Sequence, residues 1–155
     1  MKRFILPLVA MAIASLSLVG CGNDDVRAVV LTKYYTVKPA DWQPQYSNNG
    51  DGTGSIAYYY APCGNADLDM EAFQHGAITA YLCTDEGDKP LPYTVYNASD
   101  ENGDGLLDTY WEEHFSYDIQ NGGVTFIMEA NDFRPDMTLD HIGTLQFKVA
   151  VVRNF

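Results

Sequence analysis

Apolar and polar residues alternate over short segments along most of the chain, a pattern typical of half-buried β-strands. In the last segment one face is entirely apolar: Leu145, Phe147, Val149 and Val151. Six further segments are rich in β-branched and aromatic residues: 26–38, 55–61, 77–83, 91–97, 110–119 and 124–130. Seven short strands separated by turn signals predict a mainly β protein, an antiparallel β-sandwich with one short helix.

The helix is expected at residues 67–74. This segment starts with an acidic residue and contains the apolar residues Leu68, Met70 and Phe73. Gly76 stands where a helix C-cap is expected. Residues 45–54 and 84–90 are rich in Gly, Asn, Asp and Pro and are predicted to be turns.

The segment 110–119 fits two periods. Alternate apolar residues favour a strand, whereas Leu107, Trp111, Phe115 and Ile119 also fit a helical stripe. Asn121 and Gly122 follow, a pair that tolerates the positive φ of a hairpin turn. Because a hairpin requires a strand before it, we predict a strand.

The chain begins as a bacterial secretion signal. Lys2 and Arg3 precede a run without charges from residue 4 to residue 22, and residues 18–21 read LVGC, which matches the lipobox of bacterial lipoproteins. We therefore predict a signal peptide at 1–20, an acidic tether at 21–26 and a single domain at 27–155, with Cys21 carrying the lipid. A membrane-spanning anchor is the alternative, and it leaves Cys21 unexplained.

Acidic residues follow the lipidation site at Asp24 and Asp25. They resemble the export signal that sends Bacteroidetes lipoproteins to the cell surface. The expected location is the outer membrane, lipid-anchored and facing the cell surface. A short acidic linker facing the periplasm is the alternative.

Charge excludes one class of partner. The chain has 155 residues, with 9 Lys and Arg against 21 Asp and Glu, and a formal net charge of −12. Such a chain repels phosphate backbones, so nucleic acid is not an expected partner.

Two cysteines remain once Cys21 carries lipid. In an oxidising compartment Cys63 and Cys83 form an even pair, and we expect a disulfide between them. Two buried free thiols are the alternative.

The sharpest local signal lies at residues 100–108, which read DENGDGLLD. Oxygen-bearing side chains stand at loop positions 1, 3, 5 and 9 as Asp100, Asn102, Asp104 and Asp108, and Gly105 stands at position 6. This is the front of a D-x-[DN]-x-[DN]-G calcium loop, in which position 7, Leu106, adds its backbone carbonyl.

The loop departs from the calcium pattern at position 12, where Trp111 replaces the bidentate Glu. Glu112 is the expected substitute, because strand parity puts it opposite the apolar face of Trp111 and Phe115. The site should therefore bind calcium weakly. An acidic solvated turn without metal is the alternative.

A series of short motifs occurs in order along the chain: YTV at 35–37, DW at 41–42, GAITAY at 76–81, LPY at 91–93, YDI at 117–119, GGVTF at 122–126 and FKV at 147–149. This series resembles the small β domains of Bacteroidetes surface lipoproteins, a module also seen in some collagen-like proteins. Residues 98–108 look like an insertion in this pattern. The resemblance implies a fold and a location and no activity, since no function is established for the family.

Three functions are compatible with these features. The first is a non-catalytic surface binding or adhesion module with a calcium ion, taking a protein or glycan ligand. The second is a scaffold subunit of a surface assembly without metal. The third is a glycan hydrolase that uses two carboxylates. No catalytic motif stands out in the sequence, so we expect the first.

Overall fold

The computed structural model describes residues 28–48, 54–100, 102–107, 109–130 and 143–154. The predicted signal peptide at 1–20, the tether at 21–26 with Cys21, and Asp108 lie outside the described residues.

The described residues form nine strands and one short helix. The strands are β1 (Ala28–Val37), β2 (Gln43–Asn48), β3 (Gly54–Gly64), β4 (Ala77–Thr84), β5 (Gly87–Pro90), β6 (Tyr93–Ser99), β7 (Thr109–Gln120), β8 (Gly123–Ala130) and β9 (Leu145–Asn154). A 3-10 turn spans Pro39–Asp41, and helix α1 spans Met70–His75.

The strands are arranged in two antiparallel sheets. One has four strands in the order β1-β9-β4-β5, and the other has five in the order β2-β3-β8-β7-β6. The predicted mainly β sandwich with one short helix is confirmed, although the described residues form nine strands instead of seven. The two additional strands, β2 and β5, fall in or beside the segments predicted as turns.

Aromatic side chains from both sheets meet in the core. Phe126 of the five-stranded sheet stacks on Phe147 of the four-stranded sheet, with ring centroids 4.1 Å apart. Tyr35, Trp42 and Phe115 pack edge-on or tilted around this pair. All five residues are buried, so the alternating apolar positions of β1, β7, β8 and β9 face one shared interior.

The ambiguous segment 110–119 is a strand, as predicted. Strand β7 runs from Thr109 to Gln120 and pairs with β6 and β8. The hairpin turn after it has Gly122 at φ 82°, a backbone conformation that glycine adopts without steric cost.

Helix α1 lies in the predicted segment, and its N-terminus is capped by Asp69, whose carboxylate accepts from the Ala72 amide at 2.9 Å. The apolar residues of this segment differ in burial. Leu68 and Ala72 are buried, whereas Met70 and Phe73 are 51% and 54% exposed. A helix of six residues has room for one buried position per turn, and Ala72 occupies it.

Candidate cation-binding loop

The predicted calcium loop connects two neighbouring strands of the five-stranded sheet. It follows Ser99 at the end of β6 and leads into Thr109 at the start of β7, and these two residues are paired across the hairpin. The described residues of the loop are exposed to solvent, apart from the half-buried Asp100 at its start. The loop therefore lies at one end of the sandwich, outside the core.

Asp100 organises the loop through its carboxylate. Oδ1 accepts from the backbone amides of Gly103 at 2.7 Å and Asp104 at 3.2 Å. Oδ2 accepts from the amide of Gly105 at 2.7 Å. Three backbone donors thus turn toward position 1 of the motif, and the chain curls around this carboxylate.

Two further side chains close turns of their own within the loop. Asn102 Oδ1 accepts from the Asp104 amide at 3.0 Å, and Asp104 Oδ1 accepts from the Leu106 amide at 2.8 Å. Gly105 has φ 86°, and no atom lies within 4 Å of a Cβ built there. Its positive φ, and not a lack of space, is therefore the reason for glycine at position 6.

The structure brings together only part of the predicted ligand set. Asp100, Asn102, Asp104 and Leu106 share the loop, and Asp108 lies outside the described residues. Glu112 lies on β7 opposite Tyr96, three residues beyond Thr109 and thus about 10 Å along the strand. Within the described part of the chain, no three His, Cys, Asp or Glu side chains form a group that could hold a metal ion.

The outer face of the five-stranded sheet is a feature that the sequence analysis did not single out. Phe115 is buried, so strand parity turns Glu112 and His114 to the outer face, where Glu112 lies opposite Tyr96. The His114 Nδ1 and Thr94 Oγ1 atoms are 3.1 Å apart on the same face. Tyr96 is 76% exposed.

Charge divides the molecule by sheet. The five strands β2, β3, β6, β7 and β8 contain no Lys or Arg, but they carry four carboxylates: Glu112, Glu113, Asp118 and Glu129. The described Lys and Arg residues belong to the four-stranded sheet or to the residue after β1: Lys33, Lys38, Lys89, Lys148 and Arg153. The order of the strands reveals this division, because β1 and β9, which carry Lys33, Lys148 and Arg153, are far apart in the sequence and neighbours in one sheet.

The predicted Cys63–Cys83 disulfide is not formed, and both residues are free thiols. Cys63 lies opposite the buried Val124 and packs against the core, on the inner face of the five-stranded sheet. Cys83 follows the buried Leu82, so it points to the outer face of the four-stranded sheet. A whole sheet separates the two side chains, and a disulfide requires Cα atoms within about 7 Å of each other.

Each thiol is held in its protonated form by its surroundings. Burial raises the pKa of Cys63, and the nearby Asp41 raises it further. Burial also raises the pKa of Cys83, and with a hydrogen bond to Asp88 the value reaches about 11. A lysine near each thiol, Lys33 for Cys63 and Lys148 for Cys83, lowers its pKa, but burial and the neighbouring carboxylate outweigh that effect.

No family, curated protein or solved structure matches this chain. Among the described residues, no helix has both the length and the apolar character needed to cross a membrane.

Proposed function

We propose that this protein is a non-catalytic lipoprotein, anchored in the outer membrane through Cys21 and facing the cell surface, where it acts as a binding or adhesion module. The proposal includes a weakly bound calcium ion in the 100–108 loop. It also includes a relation to the small β domains of Bacteroidetes surface lipoproteins. The sequence motifs at both the lipidation site and the loop support it.

The arrangement of Asp100, Asn102 and Asp104 is the observation that carries the calcium part. Their oxygens lie on one short loop whose turns are fixed by hydrogen bonds to Gly103, Gly105 and Leu106. A loop with its turns already formed loses less conformational entropy when a cation binds than an unstructured segment would.

The carboxylates of the loop repel one another, and a bound cation would offset this repulsion. Unit negative charges about 4 Å apart repel by about 1 kcal/mol in bulk water, and more where water is partly excluded. A cation bound among Asp100, Asp104 and Asp108 would relieve this repulsion. Calcium prefers six to eight oxygen ligands and tolerates irregular geometry, which suits this set better than the tight octahedron of magnesium.

The affinity should be low, because position 12 holds Trp111 and Glu112 lies on the strand beyond it. Extracellular calcium modules bind in the range of about 10⁻⁴–10⁻³ M. At ten times the dissociation constant, linkage would stabilise the folded state by about 1.4 kcal/mol. For a domain of this size the melting temperature would rise by roughly 3–5 °C.

Thermal unfolding with and without millimolar calcium tests this part. We expect the melting temperature of the wild type to rise and that of Asp104→Ala to stay constant. Asp85→Ala, which removes an acidic residue from the exposed turn before β5, is the matched control and should respond like the wild type. A wild type that does not respond to calcium would favour the scaffold subunit without metal.

Lipid anchorage is tested separately in the native host. The wild type should take up labelled palmitate and partition into detergent, because a lipidated Cys21 supplies acyl chains that each contribute about 0.8 kcal/mol per buried methylene. Cys21→Ala should lose both properties. A wild type that is soluble and unlabelled would contradict the anchor.

A further inference from the structure

The two sheets have four edge strands, β1, β5, β2 and β6. An edge strand presents backbone N–H and C=O groups that no strand of the described chain pairs, and a segment of another chain can pair with them. Natural proteins block such edges with prolines, bulges, short strands or charged side chains that point inward. The four edges of this molecule differ in these features.

The two edges of the four-stranded sheet are blocked. On β1, Lys33 shares the core-facing side with the buried Tyr35, and its ammonium donates to the Gly64 carbonyl across the sandwich at 2.9 Å. Strand β5 has only four residues, and one of them, Lys89, lies opposite the buried Leu82. An added strand would meet a charged side chain at both places.

On the five-stranded sheet, only β2 carries such a block. Pro44 removes a backbone donor near the start of the strand, and the register with β3 shifts between Gln45 and Tyr46. A strand paired with β2 would therefore lose hydrogen bonds at the proline and its register at the irregularity.

Strand β6 has none of these features. Its seven residues, YTVYNAS, include no proline, no glycine and no charge. Its register with β7 is unbroken from Tyr93–Phe115 to Ser99–Thr109. It is thus the one edge in the described chain that is regular over its whole length and open to pairing.

Charge around β6 indicates what it can pair with. The five-stranded sheet has no Lys or Arg, and Glu112 lies on the outer face beside Tyr96. The strand ends at the loop that carries Asp100 and Asp104. An extended segment lying along β6 would have the loop carboxylates at its end, the exposed Tyr96 ring within reach of its side chains, and Glu112 on the strand beyond β6.

We propose that β6 binds an extended segment of a partner protein that carries Lys or Arg at alternate positions, added to the five-stranded sheet as a sixth strand. Backbone hydrogen bonds to β6 supply the pairing, and alternate cationic side chains lie on the outer face over the Tyr96 ring and near Glu112. The inference rests on the proposed function as a binding module and names its partner chemistry.

A second copy of this chain does not fit the same edge. The chain has a net charge of −12, and pairing β6 with β6 of another copy would bring two carboxylate-bearing sheets without Lys or Arg side by side. Like charges across an interface oppose association. A basic segment would instead be attracted by the negative charge of this sheet.

Fluorescence anisotropy tests the proposal, with the protein in a neutral detergent and EGTA present so that calcium has no part in the result. The probe is a labelled nonapeptide of alternating threonine and lysine. We expect saturable binding that weakens as salt rises, because exposed charges are screened. Two control peptides, one with glutamate in place of lysine and one N-methylated at alternate amides, should not bind.

Two matched variants locate the site. Tyr96→Ala should lower the affinity by roughly two- to fivefold, since an exposed cation–π contact contributes about that factor. Tyr34→Ala changes another exposed tyrosine, on the blocked edge β1, and should leave the affinity unchanged. Circular dichroism melting of both variants verifies that they remain folded.

The remaining outcomes overturn the proposal. Equal binding of the N-methylated peptide would show charge attraction without strand pairing. Concentration-dependent dimers in sedimentation, lost in Tyr96→Ala, would show that a second copy occupies the edge, and binding of neutral oligosaccharides alone would assign the surface to glycans. A protein that adheres to surface material and ignores the peptide contradicts this inference only, whereas one that does neither contradicts the proposed function as well.

Discussion

At the scale of single residues, the parity of β4 decides the chemistry of Cys83. Leu82 occupies the core position, so Cys83 faces outward, where Asp88 and Lys148 form an ion pair beside it. Burial, followed by the hydrogen bond to Asp88, raises the pKa of Cys83 to about 11, and the Lys148 ammonium opposes this shift. At pH 8 only about one thiol in a thousand would then be ionised.

Alkylation with iodoacetamide should therefore be slow at Cys83 near neutral pH and should accelerate as the pH rises toward 11, because the thiolate is the nucleophile. Asp88→Asn removes a charge that raises the pKa of Cys83, so the variant should react faster at pH 8. Peptide mass spectrometry separates the two cysteines, and the rate at Cys63 serves as the internal control.

The same experiment tests whether Cys63 and Cys83 are free thiols and not a disulfide. A non-reduced digest should contain Cys63 and Cys83 in separate alkylated peptides. Linked peptides, or an Asp88→Asn variant with an unchanged rate at Cys83, would contradict the positions of the two thiols in the sheets.

At the scale of elements, the end of α1 depends on a close approach of backbones. Gly76 has φ −92°, so it does not need the left-handed conformation of a usual C-cap glycine. A Cβ there would lie 2.5 Å from the Ala72 carbonyl oxygen and 2.7 Å from that of Val152 on β9. The sequence predicted that the helix ends at Gly76. The close contact with β9, which excludes a larger residue there, is visible only in the fold.

Gly76→Ala should destabilise the protein by about 1–3 kcal/mol, the usual range for overpacking, because both obstructing atoms are backbone. Gly64→Ala is the matched control, since no atom lies within 4 Å of a Cβ at that position, and it should change stability little. Urea unfolding of both variants measures the difference. Equal stabilities would contradict the close packing of α1 on β9.

Elements with strong patterns were predictable from the sequence, and elements that depend on a neighbour were not. The residues of β9 alternate cleanly, and the turn at Asn121 and Gly122 decided the strand assignment of β7. Strands β2 and β5 contain Pro, Asn, Gly, Asp and Lys, residues that are depleted in strands, and they form by pairing with β3 and β4. Propensity therefore predicted turns where the tertiary structure forms edge strands.

At the scale of the whole molecule, the distance between two residues in the sequence does not predict which sheet each belongs to. Residues 100 and 102–106 form hydrogen bonds within one loop, so residues that interact there are also neighbours in the sequence. Cys63 and Cys83 belong to different sheets, and the gap between them in the sequence carried no information about this. The division of charge between the sheets, and the open edge at β6, likewise depend on strand order.

Calcium and partner binding should influence each other, because the described residues of the calcium loop directly follow the open edge strand β6. Calcium bound there would neutralise part of the negative charge beside the open edge. The strongest binding of a basic segment to β6 is therefore expected without calcium, and anisotropy titrations at increasing calcium should show the affinity falling.

Two-dimensional ¹H–¹⁵N spectra during a calcium titration test the central claim most directly, because each amide reports its own surroundings. We predict that the resonances of residues 100–113 shift, that they saturate together at about 10⁻⁴–10⁻³ M calcium, and that those of the core strands stay in place. The Gly103, Gly105 and Leu106 amides, which donate to Asp100 and Asp104, should move most. Spectra that do not change in millimolar calcium, or that change uniformly over the whole surface, would contradict the claim.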